Sequence, residues 1–287
     1  MNILPTAKRA AILGALCEGM SVRATCRLTG TAKGTVLKLL GEIGAACLAY
    51  SERTLVNLPC ERVQCDEVWS FVGAKNKNTA PELRGTAQRG DAWTWTALCA
   101  DTKLAVAWHV GPRDADSAAS LMDSVAARVA NRLQITTDGL AFYRPATERA
   151  FGWTGADFAQ LVKVYGPSNV PAGKYSPSEF VGATKVPVFG WPDEKHISTS
   201  YVERSNLTIR MNIRRFTRLT NAFSKKLENH AHAVSLFMLH YNFCRPHQTL
   251  TKAKKGIHTT PAMAAGISDH VWKMEEVVAL LASHASN

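Results

Sequence analysis

The order of strand-like and helix-like segments between residues 62 and 166 constrains the fold of this chain most strongly. Residues 62–72 (RVQCDEVWSFV) alternate in polarity and are rich in strand-forming side chains. A turn around Thr102 joins the next two strand-like runs into a hairpin. A helix, an apolar strand ending at Asp138, another helix and a further strand follow. This order predicts an α/β fold with a mixed sheet whose first three strands are antiparallel neighbours.

Among α/β folds, this order fits the RNase H-like architecture better than a doubly wound dinucleotide-binding fold. The dinucleotide fold needs a G-x-G-x-x-G run directly after a strand, and the sequence contains none there. We therefore expect an RNase H-like catalytic domain over residues 62–247. Within it, residues 167–199 hold five of the twelve prolines and predict an irregular insertion. A helical region from 200 to 244, with a break near Thr220, follows the insertion.

The N-terminal segment predicts a separate all-α domain over residues 1–50, joined by a linker at 51–61. Ser21 is a candidate N-cap and Gly30 a helix end, which gives two helices joined by a tight turn. Such a helix-turn-helix can place its second helix in a DNA major groove. The DNA-facing residues would then be Lys33, Thr35 and Lys38. The alternative is a three-helix cap without DNA contact. At the other end, residues 248–287 predict a basic loop and a helix.

The charge of the chain favours a polyanionic partner. The formal net charge is +11 and the pI is about 9.4, an excess that is typical of nucleic-acid-binding proteins, although a basic enzyme of another class also fits. The seven cysteines form no C-x-x-C pair, which argues against a zinc ribbon and predicts reduced thiols. No apolar stretch approaches membrane-span length. These features predict a cytoplasmic protein without a membrane partner.

Asp66 stands in the middle of the first predicted strand. A carboxylate among apolar strand residues is costly to bury without a partner, and a metal ion is one such partner. Side chains alternate along a strand, so Asp66 and the neighbouring Glu67 are expected to point to opposite faces. We choose Asp66 as the candidate ligand and keep Glu67 as the alternative.

Two further acids, Asp138 and Glu203, are candidates on separate elements. Asp138 ends the fourth strand, at the edge of an α/β sheet where ligands collect, although a plain Asp-Gly turn explains it equally well. Glu203 is the only acid between Lys195 and Leu227. Its alternative role is a surface pair with Arg210. Oxygen ligands from three separate elements are what a pair of Mg²⁺ ions requires, with water and phosphate completing each coordination shell.

The acids Asp66, Asp138 and Glu203 together resemble the DDE triad of transposases and retroviral-type integrases. Arg210 follows the glutamate by seven positions, where that superfamily often has a lysine. The segment HYNFCRPHQTL (240–250) is similar to the YN-x-x-RPH-x-x-L stretch of bacterial insertion-sequence transposases, and TPAMAAGI (260–267) resembles their C-terminal segment. The resemblance covers roughly residues 60 to 275 and is closest to the first-numbered insertion-sequence family.

This resemblance implies a bacterial, nucleoid-associated DNA transposase that uses two Mg²⁺ ions, with Mn²⁺ able to substitute. It would cleave phosphodiesters at the ends of a mobile element and join the freed 3′-OH to target DNA. The partners implied are double-stranded DNA, as element ends and target, and further copies of the chain. The residues implied to hold DNA phosphates are Arg204, Arg210, Arg214 and Arg215. The alternatives are a nuclease or resolvase without strand transfer, and an inert helix-turn-helix regulator.

Aromatic and histidine residues carry weaker signals. Trp69, Trp93 and Trp95 alternate on strands, a pattern that favours core positions over stacking on displaced bases. His230 and His232 have no third ligand at metal-site spacing, so we expect solvated helix residues.

Overall fold

The computed structural model describes residues 3–84, 88–166, 179–217 and 220–285. Its strands are β1 (Arg62–Val72), β2 (Gly90–Cys99), β3 (Ala105–Gly111), β4 (Leu133–Asp138), β5 (Ala156–Gly166) and β6 (Glu179–Phe189). Its α-helices are α1 (Thr6–Cys17), α2 (Val22–Thr29), α3 (Lys33–Thr54), α4 (Ala115–Ala126), α5 (Tyr143–Gly155), α6 (Ser200–Asn212), α7 (Leu227–Leu239), α8 (Gln248–Ala253), α9 (Pro261–Ala264) and α10 (Met274–Ala285). A π-helical turn (His240–Cys244) extends α7.

The six strands form one mixed sheet in the order β3-β2-β1-β4-β5-β6. β1 is antiparallel to β2, and β2 to β3, whereas β1, β4 and β5 run parallel to one another. β6 is antiparallel to β5. The first five strands have the order and directions of an RNase H-like core, so the predicted fold class is confirmed.

Helices cover the sheet on both faces. α4 and α5 pack together against one face, and Tyr143 of α5 meets Trp95 of β2 edge-to-face at 5.5 Å. α6 and α7 lie on the other face, where the Thr96 hydroxyl donates a hydrogen bond to Asn206 Oδ1 of α6 at 3.3 Å. Within the described residues, no helix is both long enough and apolar enough to cross a membrane.

The N-terminal segment contains three helices, and α2 begins after Ser21 and ends at Gly30, as the sequence predicts. The Ser21 hydroxyl accepts a hydrogen bond from the Ala24 N–H at 3.1 Å, and Gly30 ends α2 with a φ of +58°. The Thr31 hydroxyl bonds to Thr29 rather than capping α3, whose N-cap position is Ala32.

α3 extends four residues into the segment expected to be a linker and ends at Thr54. Its buried face packs directly on α7. At the crossing, a Cβ atom on Gly44 would lie 2.4–2.8 Å from atoms of His232, so only glycine allows this approach. Residues of α3, the sheet and α7 belong to one continuous hydrophobic core. The boundary expected near residue 50 therefore does not separate two cores.

The structure also differs from the expected irregular insertion at 167–199. Residues 167–178 lie outside the described part of the chain, but Glu179–Phe189 form strand β6. The strand contains Pro187, which cannot donate a ladder hydrogen bond. It is tolerated because β6 lies at the edge of the sheet.

The C-terminal third is helical, as predicted, with an interruption. α6 ends at Asn212, a short 3₁₀ turn covers Arg214–Phe216, and α7 begins at Leu227, so the expected break near Thr220 is present. The first part of the expected basic loop is helix α8, and α10 supplies the expected terminal helix.

Candidate active site

The register of β1 and β4 places Asp66 beside Asp138. β1 pairs with β4 only up to Cys65 and Thr137, and the next residue on each strand is the acid. β1 continues past this point against β2, up to Val72. Asp66 therefore lies within the part of β1 that pairs with β2. It also lies just beyond the last residue of β1 that pairs with β4, at the carboxyl end of this parallel pair, which we call its open end. Carboxyl ends of parallel strands are where α/β folds bind ligands.

Three carboxylates converge at this edge of the sheet. Asp66, Glu67 and Asp138 each offer a ligand oxygen, and these oxygens lie within 4.8 Å of one another. We call this group the acidic cluster. Clustered carboxylates repel one another and can hold a divalent cation, which prefers hard oxygen ligands.

Glu67 belongs to the cluster although alternation sends it to the other face from Asp66. Its carboxylate, which is almost fully buried, accepts hydrogen bonds from Arg113 at 2.6 and 2.8 Å and from the Tyr143 hydroxyl at 3.1 Å. Tyr143 belongs to α5, so Glu67 points to the face of the sheet that α4 and α5 cover, opposite to the face of Asp66, as alternation predicts. Asp66 and Glu67 are therefore not exclusive alternatives, because both offer oxygens to one cluster at the point where the β1–β4 pairing ends.

Asp66 is held by α6. One carboxylate oxygen accepts a hydrogen bond from the Asn206 side-chain amide at 2.7 Å, and the other accepts from the Glu67 backbone N–H at 2.9 Å. Burial, followed by the Glu67 charge, raises the pKa of Asp66 to about 7; the charges of Asp138 and Glu203 act in the same direction.

Asp138 sits in a turn that fixes its carboxylate. The side chain accepts a hydrogen bond from the Leu140 N–H at 3.1 Å. Burial raises the pKa of Asp138, while the Leu140 N–H and the charges of Arg113 and Lys163 oppose the increase. The pKa of Glu67 is also raised, first by burial and then by the Asp138 charge.

Glu203 lies near the acidic cluster but outside the 4.8 Å group. Its carboxylate forms an ion pair with Lys163 of β5 at 2.8 Å and accepts a hydrogen bond from the Thr199 hydroxyl. Its charge raises the pKa of both Asp66 and Asp138, so the three predicted acids share one electrostatic environment.

Sequence reasoning missed two cations at this site, Arg113 and Lys163. Arg113 lies between β3 and α4, in a segment that reads as an ordinary loop, and Lys163 is a single lysine in a strand. Each binds one of the acids directly. Nothing in their local sequence marks them, because the contacts depend on which strands and loops are neighbours.

The predicted DNA-binding residues divide into separate groups. Arg204 and Arg210 lie on α6 with Glu203. Arg214 and Arg215 follow the end of α6, which lies about 13 Å along the helix axis from Glu203. They line a cavity of about 780 Å³ between the N-terminal helices and α7, together with Lys33. Thr35 and Lys38 are exposed on α3, and Lys38 pairs with Glu42 at 3.7 Å.

We call this cavity the basic cleft. Its floor is apolar and includes Leu40, Ile213 and Phe237. Its cationic lining residues are Arg23, Lys33, Arg214, Arg215, Lys225 and Lys226. As far as the structure describes the chain, no carboxylate lines it. Arg215 is largely buried, which lowers its pKa to about 10, and its guanidinium donates to the Ser224 hydroxyl at 3.1 Å.

No family model matches the sequence, and no curated protein is significantly similar to it. Among solved structures, the chain is similar to one in the crystal structure of a pre-cleavage Mos1 transpososome. The identity is 10%, the TM-score is 0.25, and the match covers 83% of this chain and 78% of that chain. A TM-score this low carries no argument about activity, so the site's chemistry rests on its own geometry.

Replacing Asp66 by asparagine is expected to stabilise the metal-free protein at about pH 8 by roughly 2 kcal/mol. The pKa of Asp66 is raised to about 7 in the folded state, so its contribution to stability is complete at low pH and is lost as the pH rises through 7. Asparagine removes the buried charge. Urea unfolding at pH 8 in EDTA measures the difference.

The matched measurement uses the same two proteins with Mg²⁺ in place of EDTA. Mg²⁺ is expected to raise the unfolding free energy of the parent more than that of the Asp66 variant. Near pH 4, where the carboxyl is protonated, the parent and variant should differ little. Equal stability of parent and variant at pH 8 would show that the ionised Asp66 carboxylate does not destabilise the folded protein, contrary to its raised pKa.

Proposed function

We propose that this chain is a DNA transposase that cleaves phosphodiesters at the ends of an insertion-sequence-type element and transfers the freed 3′-OH to target DNA. The observation that carries the proposal is the acidic cluster at the open end of the β1–β4 pair, with Glu203 of α6 beside it. The carboxylates are buried enough to resist ionising together, which is the condition under which a divalent cation is a favourable partner.

The donor set fits Mg²⁺, with Mn²⁺ as a substitute. Asp66 and Asp138 would hold the ions, Glu67 is an added ligand candidate, and Glu203 would be released from Lys163 to join them. When bound, such ions supply charge stabilisation at the reacting phosphate.

The chain's own residues would position the DNA. Arg113 and Lys163 place positive charge beside the acids and are suited to orient the phosphate that flanks the scissile bond. Arg204 and Arg210 extend this charge along α6. The basic cleft, with Lys33, Arg214 and Arg215, would hold DNA further from the reacting bond. Phosphate contacts of this kind fix the DNA without reading its sequence. Thr35 and Lys38, on the exposed face of α3, are the candidates for reading element ends.

Two assays test the proposal. Nicking of supercoiled plasmid is expected with Mg²⁺ and absent with EDTA. Joining of a labelled element end to a plasmid would establish strand transfer, while nicking without joining would favour the nuclease alternative. DNA binding without nicking in the presence of any divalent ion would contradict both the transposase and the nuclease, and would favour the catalytically inert helix-turn-helix regulator. Because transposases act as assemblies, we also expect the chain to form oligomers on element ends, which light scattering of the DNA complex can measure.

A further inference from the structure

A row of aromatic side chains runs from the acidic cluster toward the basic cleft. We define the aromatic row as Trp93, Trp69, Phe71 and Phe223. Trp69 and Trp93 are directly opposite each other in the β1–β2 pairing. The ring centroids of Trp69 and Phe71 are 5.8 Å apart, and those of Phe71 and Phe223 are 4.9 Å apart. All four residues are half-buried, so each keeps some surface exposed to solvent.

Trp95 shows why this surface is not ordinary core. It lies on the same face of β2 as Trp93, but it is fully buried against Tyr143, and its indole N–H donates to the Pro112 carbonyl at 3.0 Å. The prediction of a core role is therefore correct for Trp95. Trp69 and Trp93 lie further along the sheet and keep exposed surface.

Positive charge accompanies the row along its length. The contacts are Arg113 Cζ at 4.7 Å from the Trp93 centroid, Lys75 Nζ at 5.9 Å from both the Trp69 and Phe71 centroids, and Lys225 Nζ at 4.0 Å from the Phe223 centroid. The Asp91 carboxylate, opposite Phe71 in the sheet, accepts a hydrogen bond from the Asn76 N–H at 3.2 Å. Half-buried aromatic rings with cations over them combine the two elements that bind an unpaired nucleic-acid strand, namely aromatic surface for bases and charge for phosphates.

The two ends of the row coincide with the two regions described above. At one end, Arg113 binds Glu67 of the acidic cluster. At the other, Phe223 and Lys225 line the basic cleft. The four-residue step from Glu67 to Phe71 along β1 spans about 13 Å. The row therefore begins beside a residue of the candidate cleavage site and ends at residues that line the cleft.

We propose that the aromatic row binds the bases of a single-stranded DNA segment that passes between the acidic cluster and the basic cleft. The inference rests on the proposed function for the identity of the ligand as DNA, and it adds that the strand leaving the site is unpaired. A duplex hides its base faces inside the stack, so these rings favour a separated strand.

The test compares binding of three labelled ligands in EDTA by fluorescence anisotropy. They are an oligothymidylate of about 12 nucleotides, an abasic strand of equal length and a duplex of equal length. The abasic strand keeps the phosphates and lacks the bases. The wild-type protein is expected to bind oligothymidylate at least about fivefold more tightly than the abasic strand. A ratio near one would overturn the proposal.

Two variants test whether the aromatic row causes the preference for a strand with bases over an abasic strand. Phe223→Ala and Trp69→Ala are each expected to bring the ratio of the two affinities toward one, with little change for the abasic strand. Trp191→Ala removes a tryptophan that is 91% exposed and lies outside the row, so it should keep the ratio. Phe223 lies between α6 and α7, so its variant decides the matter if Trp69→Ala does not fold.

The outcomes separate this inference from the proposed function. An unchanged ratio in folded Phe223→Ala protein would contradict the aromatic row alone. Tight duplex binding would not, because duplex DNA can also bind at the basic cleft. A protein that shows the base preference but never nicks DNA with Mg²⁺ would support the aromatic row as a binding surface and contradict the proposed transposase activity.

Discussion

Replacing Asp138 by asparagine is expected to lower Mg²⁺-dependent plasmid nicking by at least about a thousandfold, equivalent to about 4 kcal/mol of transition-state stabilisation. The carboxylate lies within 4.8 Å of two others, and asparagine removes one negative charge from the group that would hold the cation. The backbone turn should survive, because the asparagine side-chain oxygen can accept the hydrogen bond that the Leu140 N–H now donates. Plasmid nicking at matched protein concentration measures the loss.

The control for this variant is Asp269→Asn, which makes the same chemical change at a carboxylate that is 96% exposed. It should nick like the parent. Affinity of the Asp138 variant for duplex DNA in EDTA is expected to stay within about twofold of the parent, since DNA phosphates are repelled by acids rather than held by them. Full nicking activity in the Asp138 variant would show that the acidic cluster is not the cleavage site.

His230 is expected to make the folded state sensitive to acid. Contrary to the expectation of a solvated residue, it is fully buried between two hydroxyls and against Phe216. Ser70 donates to the Ala92 carbonyl at 2.8 Å, so it accepts from His230 Nε2 at 3.1 Å. On the other side, Ser224 accepts from Arg215 and donates to His230 Nδ1 at 2.8 Å. This network, from which the tautomer is inferred, satisfies neutral imidazole and gives no place for a second proton.

Burial, together with the Arg215 charge, lowers the pKa of His230 from 6.5 to about 3. The unfolded chain then binds one more proton than the folded state between these values, so stability falls as the pH falls. The expected loss from His230 is about 1.4 kcal/mol per pH unit, or about 3 kcal/mol between pH 6.5 and pH 4. Urea unfolding across this pH range measures it.

His230→Leu should be less stable than the parent near pH 7, because two serine hydroxyls lose their partner. Its stability should nevertheless depend less steeply on pH, by about one proton. Identical slopes in the parent and the variant would contradict the neutral, buried assignment of His230.

The sequence predicts the position of Asp66 and Asp138 well, for a local reason. An acid within an apolar strand and an acid at a strand end are both visible in single segments. That they are neighbours follows once β1 and β4 are assigned as parallel partners, which the RNase H-like order implies. The resemblance to the DDE triad adds Glu203, which pairs with Lys163 of β5, the strand next to β4.

The place of Glu67 could not be predicted, because it depends on where a neighbouring strand ends. Alternation along β1 correctly assigns its face, yet its carboxylate lies within 4.8 Å of those of Asp66 and Asp138, just beyond the end of the β1–β4 pairing. The cations Arg113 and Lys163 are equally nonlocal. Their roles arise from the adjacency of a loop and an edge-proximal strand to the acids.

Strand β6 was missed because its proline and the prolines around it are typical of turns and irregular loops. Proline excludes a central strand but not an edge strand, and edge position is a property of the finished sheet. The burial of His230 was missed for a related reason. Its neighbours Glu228, Asn229 and His232 are polar and suggest solvent exposure. The serines that hydrogen-bond to it come from β1 and from the segment before α7.

The close packing of α3 on α7 has a consequence for the order in which the protein is made. Roughly 170 residues separate the two helices, so a ribosome adding about 5–20 residues per second needs about 10–40 s after finishing α3 to complete α7. During that interval, the apolar face of α3, with Val36, Leu40 and Ile43, has no partner from α7 to cover it. In the nascent chain, the apolar face of α3 therefore stays without its partner helix. Its packing is completed only after the strands of the sheet and α7 have been translated.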